Sequence, residues 1–131
     1  MWIGTDDGLN KYLPGTGEIF SYYSSNTPGG LSSSTITALE MDEEGYLWVG
    51  TPQGLNRFNP ETKWFHCYYL VSPGPIIENT KKTLITTILN DSHNRLWIGT
   101  REFGLFFFNR ETHQFENTQN HIPGSKLFNL N

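Results

Sequence analysis

A short motif, Trp-[Ile/Val]-Gly-Thr, occurs three times in this chain and constrains its fold more than any other feature. The copies lie within Trp2–Thr5, Leu47–Thr51 and Leu96–Thr100, so the tryptophans recur after 46 and then 49 residues. The sequence after each motif repeats as well, since a Gly-Leu pair follows within a few residues and a turn and an aromatic segment come next. A period of this length is typical of repeat proteins, in which each repeat is one supersecondary unit stacked on its neighbours.

The second repeat predicts four short strands separated by turns, at 35–41, 46–51, 54–58 and 64–69. In its first turn, Asp42 can accept backbone hydrogen bonds and Gly45 can adopt positive φ. The third repeat follows the same plan, with Asp91 in place of Asp42. Asn94 stands where Gly45 stood, and asparagine is the next-best residue in a left-handed conformation. The first repeat begins in its second strand.

Four antiparallel strands in each repeat of this length are the blade of a β-propeller. Strands that are apolar on both faces favour this architecture over a solvated sandwich, and the glycine inside the motif suits a strand that another backbone approaches closely. We therefore predict an all-β chain, a β-propeller fragment of about two and three-quarter four-stranded antiparallel blades. The predicted units are blade 1 without its first strand (1–23), blade 2 (35–69), blade 3 (83–118) and a connector to a next blade (119–131).

The residues that define the repeat are predicted to have structural roles. Burial of the repeated tryptophan explains the recurrence of the motif better than stacking on a sugar does. The two turn aspartates could be metal ligands or acid–base groups, but matching turns of consecutive blades would hold them apart, so we interpret them as turn residues. The predicted structural residues are Trp2, Gly4, Thr5, Trp48, Gly50, Thr51, Trp97, Gly99, Thr100, Asp42, Gly45, Asp91 and Asn94.

Composition excludes several classes of function. A net charge of −4 with nine Lys and Arg gives no basic surface for nucleic acid or for an anionic membrane. Cys67 is the only cysteine, and the four histidines show no metal-ligand spacing, so we predict no metal and no cofactor. No nucleophile, phosphate-loop or dinucleotide motif occurs, and no catalytic residue is predicted. We also expect no signal peptide, no transmembrane segment and no membrane contact in this stretch.

The segments that differ most among the repeats indicate a candidate binding face. Because strands alternate in direction, the loops between second and third strands lie on the same side as the connections between blades, 24–30 and 72–82. Variable loops on a rigid scaffold are where binding residues usually lie, although loops also vary when nothing constrains them. The candidate ligand-binding residues are Asp6, Asp7, Gln53, Arg101 and Glu102.

These motifs together resemble the two-component regulator propeller repeat. The resemblance rests on Leu-Trp-[Ile/Val]-Gly-Thr, on Gly-Leu-Asn-[Lys/Arg]-[Tyr/Phe] and Pro-x-Thr after it, and on the Gly-Leu-Ser-Ser-Ser-Thr-Ile segment at 30–36. The third repeat departs from the pattern, with Phe106 and Phe107 in place of Asn-[Lys/Arg]. The resemblance implies part of the periplasmic sensor domain of a Bacteroides-type hybrid two-component sensor kinase, whose intact form binds an oligosaccharide.

We therefore expect a non-catalytic fragment of a sensor whose full-length parent is a histidine kinase. The alternatives are a propeller-type enzyme, a lyase or a glycan-cleaving protein, and a purely structural self-assembling module. The expected partners are an oligosaccharide for the intact sensor and, for the terminal sheets, either the remaining blades or a second copy of the chain. The apolar terminal faces are predicted to carry Trp2, Tyr12, Phe20 and Tyr22 at one end and Phe106, Phe107 and Phe115 at the other.

Overall fold

The computed structural model describes residues 1–70 and 83–118, which form three antiparallel sheets without an α-helix. The prediction of an all-β chain of small antiparallel sheets is thereby confirmed. The first sheet contains β1 (Trp2–Thr5), β2 (Gly8–Leu13) and β3 (Glu18–Tyr22). The second contains β4 (Ala38–Met41), β5 (Leu47–Thr51), β6 (Gly54–Asn59) and β7 (Trp64–Tyr68). The third contains β8 (Ile85–Asn90), β9 (Leu96–Thr100), β10 (Leu105–Asn109) and β11 (Gln114–Asn117).

Strands follow one another within each sheet in chain order, and we call the three sheets blades 1, 2 and 3. Strand β4 lies against both β1 and β8, so the inner strands of successive blades are neighbours. Strand β4 begins later than predicted because the amide of Ile36 donates to the carbonyl of Thr5 in blade 1, at 2.9 Å. Ile36 therefore joins blade 2 to blade 1, while the amide of Thr37 donates to the carbonyl of Gly50 in β5 at 2.8 Å.

The same aromatic contact recurs at both junctions between blades. Trp2 of blade 1 packs edge-on against Phe58 of blade 2, with ring centroids 5.4 Å apart. Trp48 of blade 2 packs against Phe108 of blade 3 at the same 5.4 Å separation. Trp2 and Trp48 thus each face the following blade and pack against a phenylalanine of that blade.

A tyrosine of the last strand completes each junction. Tyr22 lies 5.1 Å from Phe58, and Tyr68, in the equivalent position, lies 5.1 Å from Phe115. Two buried clusters form in this way, one between blades 1 and 2 and one between blades 2 and 3. Because these aromatic pairs bury large surfaces, the junctions between blades are the cores of this chain.

The predicted composition of the terminal faces is mostly wrong. Trp2 and Tyr22 pack into the first junction, and Phe106 and Phe115 pack into the second, where Phe106 is only 2% exposed. Side chains alternate between the two faces of a strand, so the tryptophan face of blade 1 is internal and its other face is terminal. The large apolar side chains that are exposed at the ends are Ile3 and Ile19 on blade 1 and Leu89 and Leu105 on blade 3.

The glycine of the motif makes room for a side chain of a neighbouring strand. A Cβ on Gly50 would lie 2.6 Å from Cγ2 of Ile85, on the first strand of blade 3, and a Cβ on Gly4 would clash with Ile36 in the same way. A Cβ on Gly99 would instead lie 2.5 Å from Cγ2 of Thr87 in its own sheet. We expected the backbone of another segment to approach this glycine closely. The group that approaches it is instead a β-branched side chain.

The predicted left-handed turn residues are confirmed in both repeats. Gly45 has a φ of 90° and Asn94 has a φ of 57°. The amide of Gly45 donates to the carbonyl of Asp42 at 3.2 Å, and the amide of Asn94 donates to the carbonyl of Asp91 at 3.0 Å. The two turns therefore share one geometry, which glycine adopts freely and asparagine tolerates.

Replacing Gly45 with valine is expected to lower the free energy of unfolding by about 1–2 kcal/mol. No atom lies within 4 Å of the position that a Cβ would take, so the cost is backbone strain and not a clash. Thermal unfolding measures the effect, and Gly15→Val, at an equally open glycine without positive φ, is the control. Equal melting temperatures for Gly45→Val and the unsubstituted chain would contradict this interpretation.

Candidate functional site

The loops between the second and third strands of the blades are closed by the threonine of the motif. Thr51 donates its hydroxyl to the carbonyl of Gly54 at 2.9 Å and accepts the amide of Gln53 at 3.0 Å. Thr5 makes the same two bonds, to the carbonyl of Gly8 at 3.1 Å and from the amide of Asp7 at 3.0 Å. The threonine fixes the loop backbone, so the loop side chains can vary without loss of the turn.

The corresponding loop of blade 3 is one residue longer and keeps the same closure. Thr100 donates to the carbonyl of Gly104 at 2.7 Å, and its hydroxyl accepts the amide of Phe103 at 3.1 Å. The extra residue lets Arg101 and Glu102 lie side by side at the loop tip, where both are exposed.

The five candidate ligand-binding residues lie on three successive loops. Asp6 and Asp7 are exposed on the loop of blade 1, Gln53 is half-buried on the loop of blade 2, and Arg101 and Glu102 are exposed on the loop of blade 3. Each blade therefore has polar candidate residues on its loop, and the three loops lie at the same end of the blades. Residues 72–82, which we predicted to belong to this face, lie outside the described residues.

The connection between blades 1 and 2 bonds to the loops of both blades. The amide of Gly8 donates a hydrogen bond to the carbonyl of Ser34 at 2.6 Å, which links the connection to blade 1. The hydroxyl of Ser32 lies 3.0 Å from that of Thr51 and accepts the side-chain amide of Asn56 at 2.7 Å, which ties it to blade 2. Ser32 and Ser34 therefore lie on the same side of the sheets as the loops, whereas Gly29, within the predicted connection 24–30, contacts Trp64 at the other end of the strands.

Asn56 is fully buried, and we did not predict its role. Its side-chain oxygen accepts the amide of Ser32 at 3.2 Å while its side-chain nitrogen donates to the hydroxyl of the same serine. The signal in the sequence was the asparagine of the Gly-Leu-Asn motif, which Phe106 replaces in the third repeat. Asn56 thus positions the connection over blade 2.

The opposite side of the sheets carries the aspartate turns. One carboxylate oxygen of Asp42 accepts the amides of Glu44 at 2.9 Å and Tyr46 at 3.0 Å. The other oxygen accepts the indole N–H of Trp48 at 2.8 Å in a buried hydrogen bond. The turn interpretation explains the first two bonds, whereas the bond to tryptophan was not predicted.

Asp91 repeats this arrangement in blade 3. It accepts the amides of His93 and Arg95 at 2.9 Å each and the indole N–H of Trp97 at 2.9 Å. The side chain of Arg95 adds an ion pair at 2.9 Å. Burial alone would raise the pKa of the Asp91 carboxyl, but these hydrogen bonds outweigh it and hold that pKa well below its usual range. In both repeats the aspartate lies six residues before the tryptophan that it holds.

Metal-ligating side chains are not brought together in the described part of the chain. Within 1–70 and 83–118, no group of three His, Cys, Asp or Glu side chains is placed to hold a metal ion. Burial raises the pKa of the Cys67 thiol, which leaves it protonated at neutral pH. No helix among these residues is long and apolar enough to cross a membrane.

Comparison with known proteins shows what this chain is similar to. The profile of the two component regulator propeller matches residues 30–53 and 81–102. The extracellular domain of BT4673 from B. thetaiotaomicron, described as a hybrid two component system, is 26% identical with a TM-score of 0.73. The alignment covers 89% of this chain and 15% of that one, so this chain spans a small part of the length of that structure.

Two more distant structures share the fold. The extracellular domain of BT3049 from B. thetaiotaomicron, also described as a hybrid two component system, is 22% identical with a TM-score of 0.53, over 88% of this chain and 21% of that one. PorZ, a surface component of the type-IX secretion system of Porphyromonas gingivalis, is 13% identical with a TM-score of 0.50, over 87% of this chain and 25% of that one.

No curated protein matches this sequence. The repeats, the blade junctions and the structural similarity nevertheless agree with one another. Residues 30–53 and 81–102 match the two component regulator propeller, and the chain is a β-propeller fragment similar to the extracellular domains of Bacteroides hybrid two-component systems.

Proposed function

We propose that this chain is a non-catalytic part of the periplasmic sensor region of a hybrid two-component regulator, and that the intact region senses an oligosaccharide. The similarity to extracellular domains of such systems supports the sensor role. The full-length parent is then a sensor histidine kinase, and this segment contributes part of the scaffold and part of its ligand-facing loops.

One observation carries this proposal, namely the threonine-closed loops. The same pair of threonine hydrogen bonds closes each loop, while the exposed side chains differ from blade to blade, with Asp6 and Asp7 on one loop and Arg101 and Glu102 on another. Carboxylates and guanidinium groups hydrogen-bond well to sugar hydroxyls. Loops with the same threonine closure and variable polar tips are suited to selecting among ligands and need no reactive group.

The enzyme alternative finds little support in the same structure. The carboxylates of Asp42 and Asp91 already accept three and four hydrogen bonds from their own turns and tryptophans, so neither is placed to transfer protons to a substrate. The candidate loops carry carboxylates but no histidine that could act as their acid–base partner.

We further propose that additional blades cover the terminal faces in the intact protein. The face of blade 3 that carries Trp97 is equivalent to the two tryptophan faces that are covered by a following blade. Phe107 lies 6.0 Å from Trp97 on this face, where the first two repeats have Lys11 and Arg57. Without such a blade, a second copy of this chain is the expected occupant, because exposed apolar faces of this kind favour association.

The oligosaccharide proposal is tested on the intact sensor ectodomain with a glycan array, followed by titration of the glycans that bind. Asp6→Asn with Asp7→Asn, and Arg101→Gln with Glu102→Gln, are expected to weaken binding about tenfold or more if those side chains contact the glycan. Glu43→Gln and Glu61→Gln, on exposed turns at the opposite ends of the strands, are the matched controls.

Loss of affinity in the loop variants, with wild-type affinity in the controls, would support the loop face as the binding face. Absence of binding to any glycan would overturn the ligand class. Turnover of a bound glycan that is abolished by one loop carboxylate substitution would instead show an enzyme.

A further inference from the structure

A second candidate site lies at the other end of blade 2, away from the variable loops. A cavity of about 370 Å³ opens there on the face that carries Trp48, near the aspartate turns. Its lining combines aromatic and polar side chains and contains no carboxylate. The lining residues are Tyr46, Arg57, Asn59, Thr62, Trp64 and His66.

Arg57 brings a positive charge to this cavity. Its guanidinium lies 4.5 Å from the centroid of the Tyr46 ring and 5.9 Å from that of Trp48. Among the described residues no carboxylate lies within ion-pair distance of it. The aromatic rings therefore hold the guanidinium in place while its hydrogen-bond donors remain available to an anion.

Trp64 brings an exposed aromatic surface next to this charge. Its side chain is 52% exposed although it lies in a strand. The ring rests on Gly29, where a Cβ would lie 2.5 Å from Cε3 of the indole, and the amide of the adjacent Phe65 donates to the carbonyl of Gly29 at 2.9 Å. The backing of the ring by glycine fixes its position and leaves indole surface facing the cavity.

His66 completes the polar side of the cavity. It pairs with Arg57 across the strands, and its ring lies 4.5 Å from that of Tyr68, which orients it. Asn59 pairs with Trp64 two residues further along the same strands, on the same face of the sheet. Hydrogen-bond donors and an aromatic face thus lie side by side over two successive residue pairs of this face.

The equivalent positions in the other blades show that the fold does not need this combination. In blade 1 Lys11 lies 5.5 Å from the Trp2 ring, but the residues that replace His66 and Trp64 are Phe20 and Glu18. In blade 3 these positions hold Glu116 and Gln114. A cation lies over the tryptophan in blades 1 and 2, whereas the exposed indole and the histidine beside it occur in blade 2 alone among the described blades.

From this geometry we propose that the cavity binds a carboxylate carried on a flat-faced ring. The carboxylate pairs with the Arg57 guanidinium, the ring stacks on Trp64, and His66, Asn59 and Thr62 hydrogen-bond to polar substituents. Such a ligand is either a sugar acid, in which a pyranose presents its apolar face, or an aromatic acid. The site goes beyond the proposed function, since it lies at the opposite ends of the strands from the loop face.

The test uses the intact protein that contains this chain, titrated with D-glucuronate, with benzoate and with neutral D-glucose. Binding is followed by calorimetry and by quenching of tryptophan fluorescence. We expect one of the two acids to bind and glucose to bind at least about tenfold more weakly, because the neutral sugar lacks the charge-assisted hydrogen bonds. Binding of D-glucuronate would identify the ring as that of a sugar acid, and binding of benzoate would identify it as aromatic.

Arg57→Gln is expected to weaken binding of that acid about tenfold or more, and Lys11→Gln, which removes the equivalent charge in blade 1, is expected to leave it unchanged. Trp64→Leu should weaken binding as well and serves if the arginine variant fails to fold. Failure of both acids to bind, equal losses in the Arg57 and Lys11 variants, or full affinity in both Arg57→Gln and Trp64→Leu would overturn the proposal.

Discussion

Replacing Trp48 with alanine is expected to lower the free energy of unfolding by about 3–5 kcal/mol. The side chain is fully buried and contacts Tyr68 of its own blade and Phe108 and Phe115 of the next one. Its removal leaves a cavity in the middle of the junction between blades 2 and 3, where the rigid strands can collapse only partly. Denaturant titration of the chain, followed by circular dichroism, measures the change.

Trp97→Ala is the matched control for this prediction. Trp97 occupies the same motif position and has the same type of aspartate partner, but it is only partly buried, because it faces away from blade 2. We expect a clearly smaller loss of stability. Equal losses for the two variants would show that the aspartate bond, and not the packing between blades, dominates the role of the tryptophan.

Replacing Asp42 with alanine is expected to lower the free energy of unfolding by about 2–4 kcal/mol. Asp42 is 5% exposed, and its loss leaves the indole N–H of Trp48 and two turn amides without their acceptor. The turn amides can bond to water instead, whereas the indole N–H is buried. Most of the effect is therefore expected from the indole.

Asp42→Asn separates these contributions. The amide oxygen can accept the N–H groups of Glu44 and Tyr46, but the amide nitrogen then faces the indole N–H of Trp48, and two donors cannot pair. We expect this variant to lose at least half of the stability that Asp42→Ala loses. A variant Asp42→Asn with unchanged thermal unfolding would show that the hydrogen bond to the indole contributes nothing measurable.

The candidate loop face could be found from the sequence because it depends on local comparison. Once the three motifs are aligned, Asp6, Gln53 and Arg101 fall in corresponding loops, and alternation of strand direction places those loops at one end of the blades. The cavity on blade 2 could not be found in this way. The cavity requires Arg57 and Trp64 on the same face of two neighbouring strands. It also requires Gly29, from the connection between blades 1 and 2, behind the indole.

The sequence by itself determined the repeat, the number of strands and the chemistry of the turns, because each of these follows from residues close together in the chain. Gly45 and Asn94, for example, reveal the left-handed turn positions without any tertiary information. Only the tertiary structure decided which face of each strand meets the next blade. Both faces of these strands are apolar, so alternation alone could not tell that Trp2 points into the chain while Ile3 lies on its outer surface. The direction in which the blades stack determines that choice, because a motif tryptophan meets the aromatic side chains of another blade only on the face that the following blade covers, as Trp2 meets Phe58 and Trp48 meets Phe108.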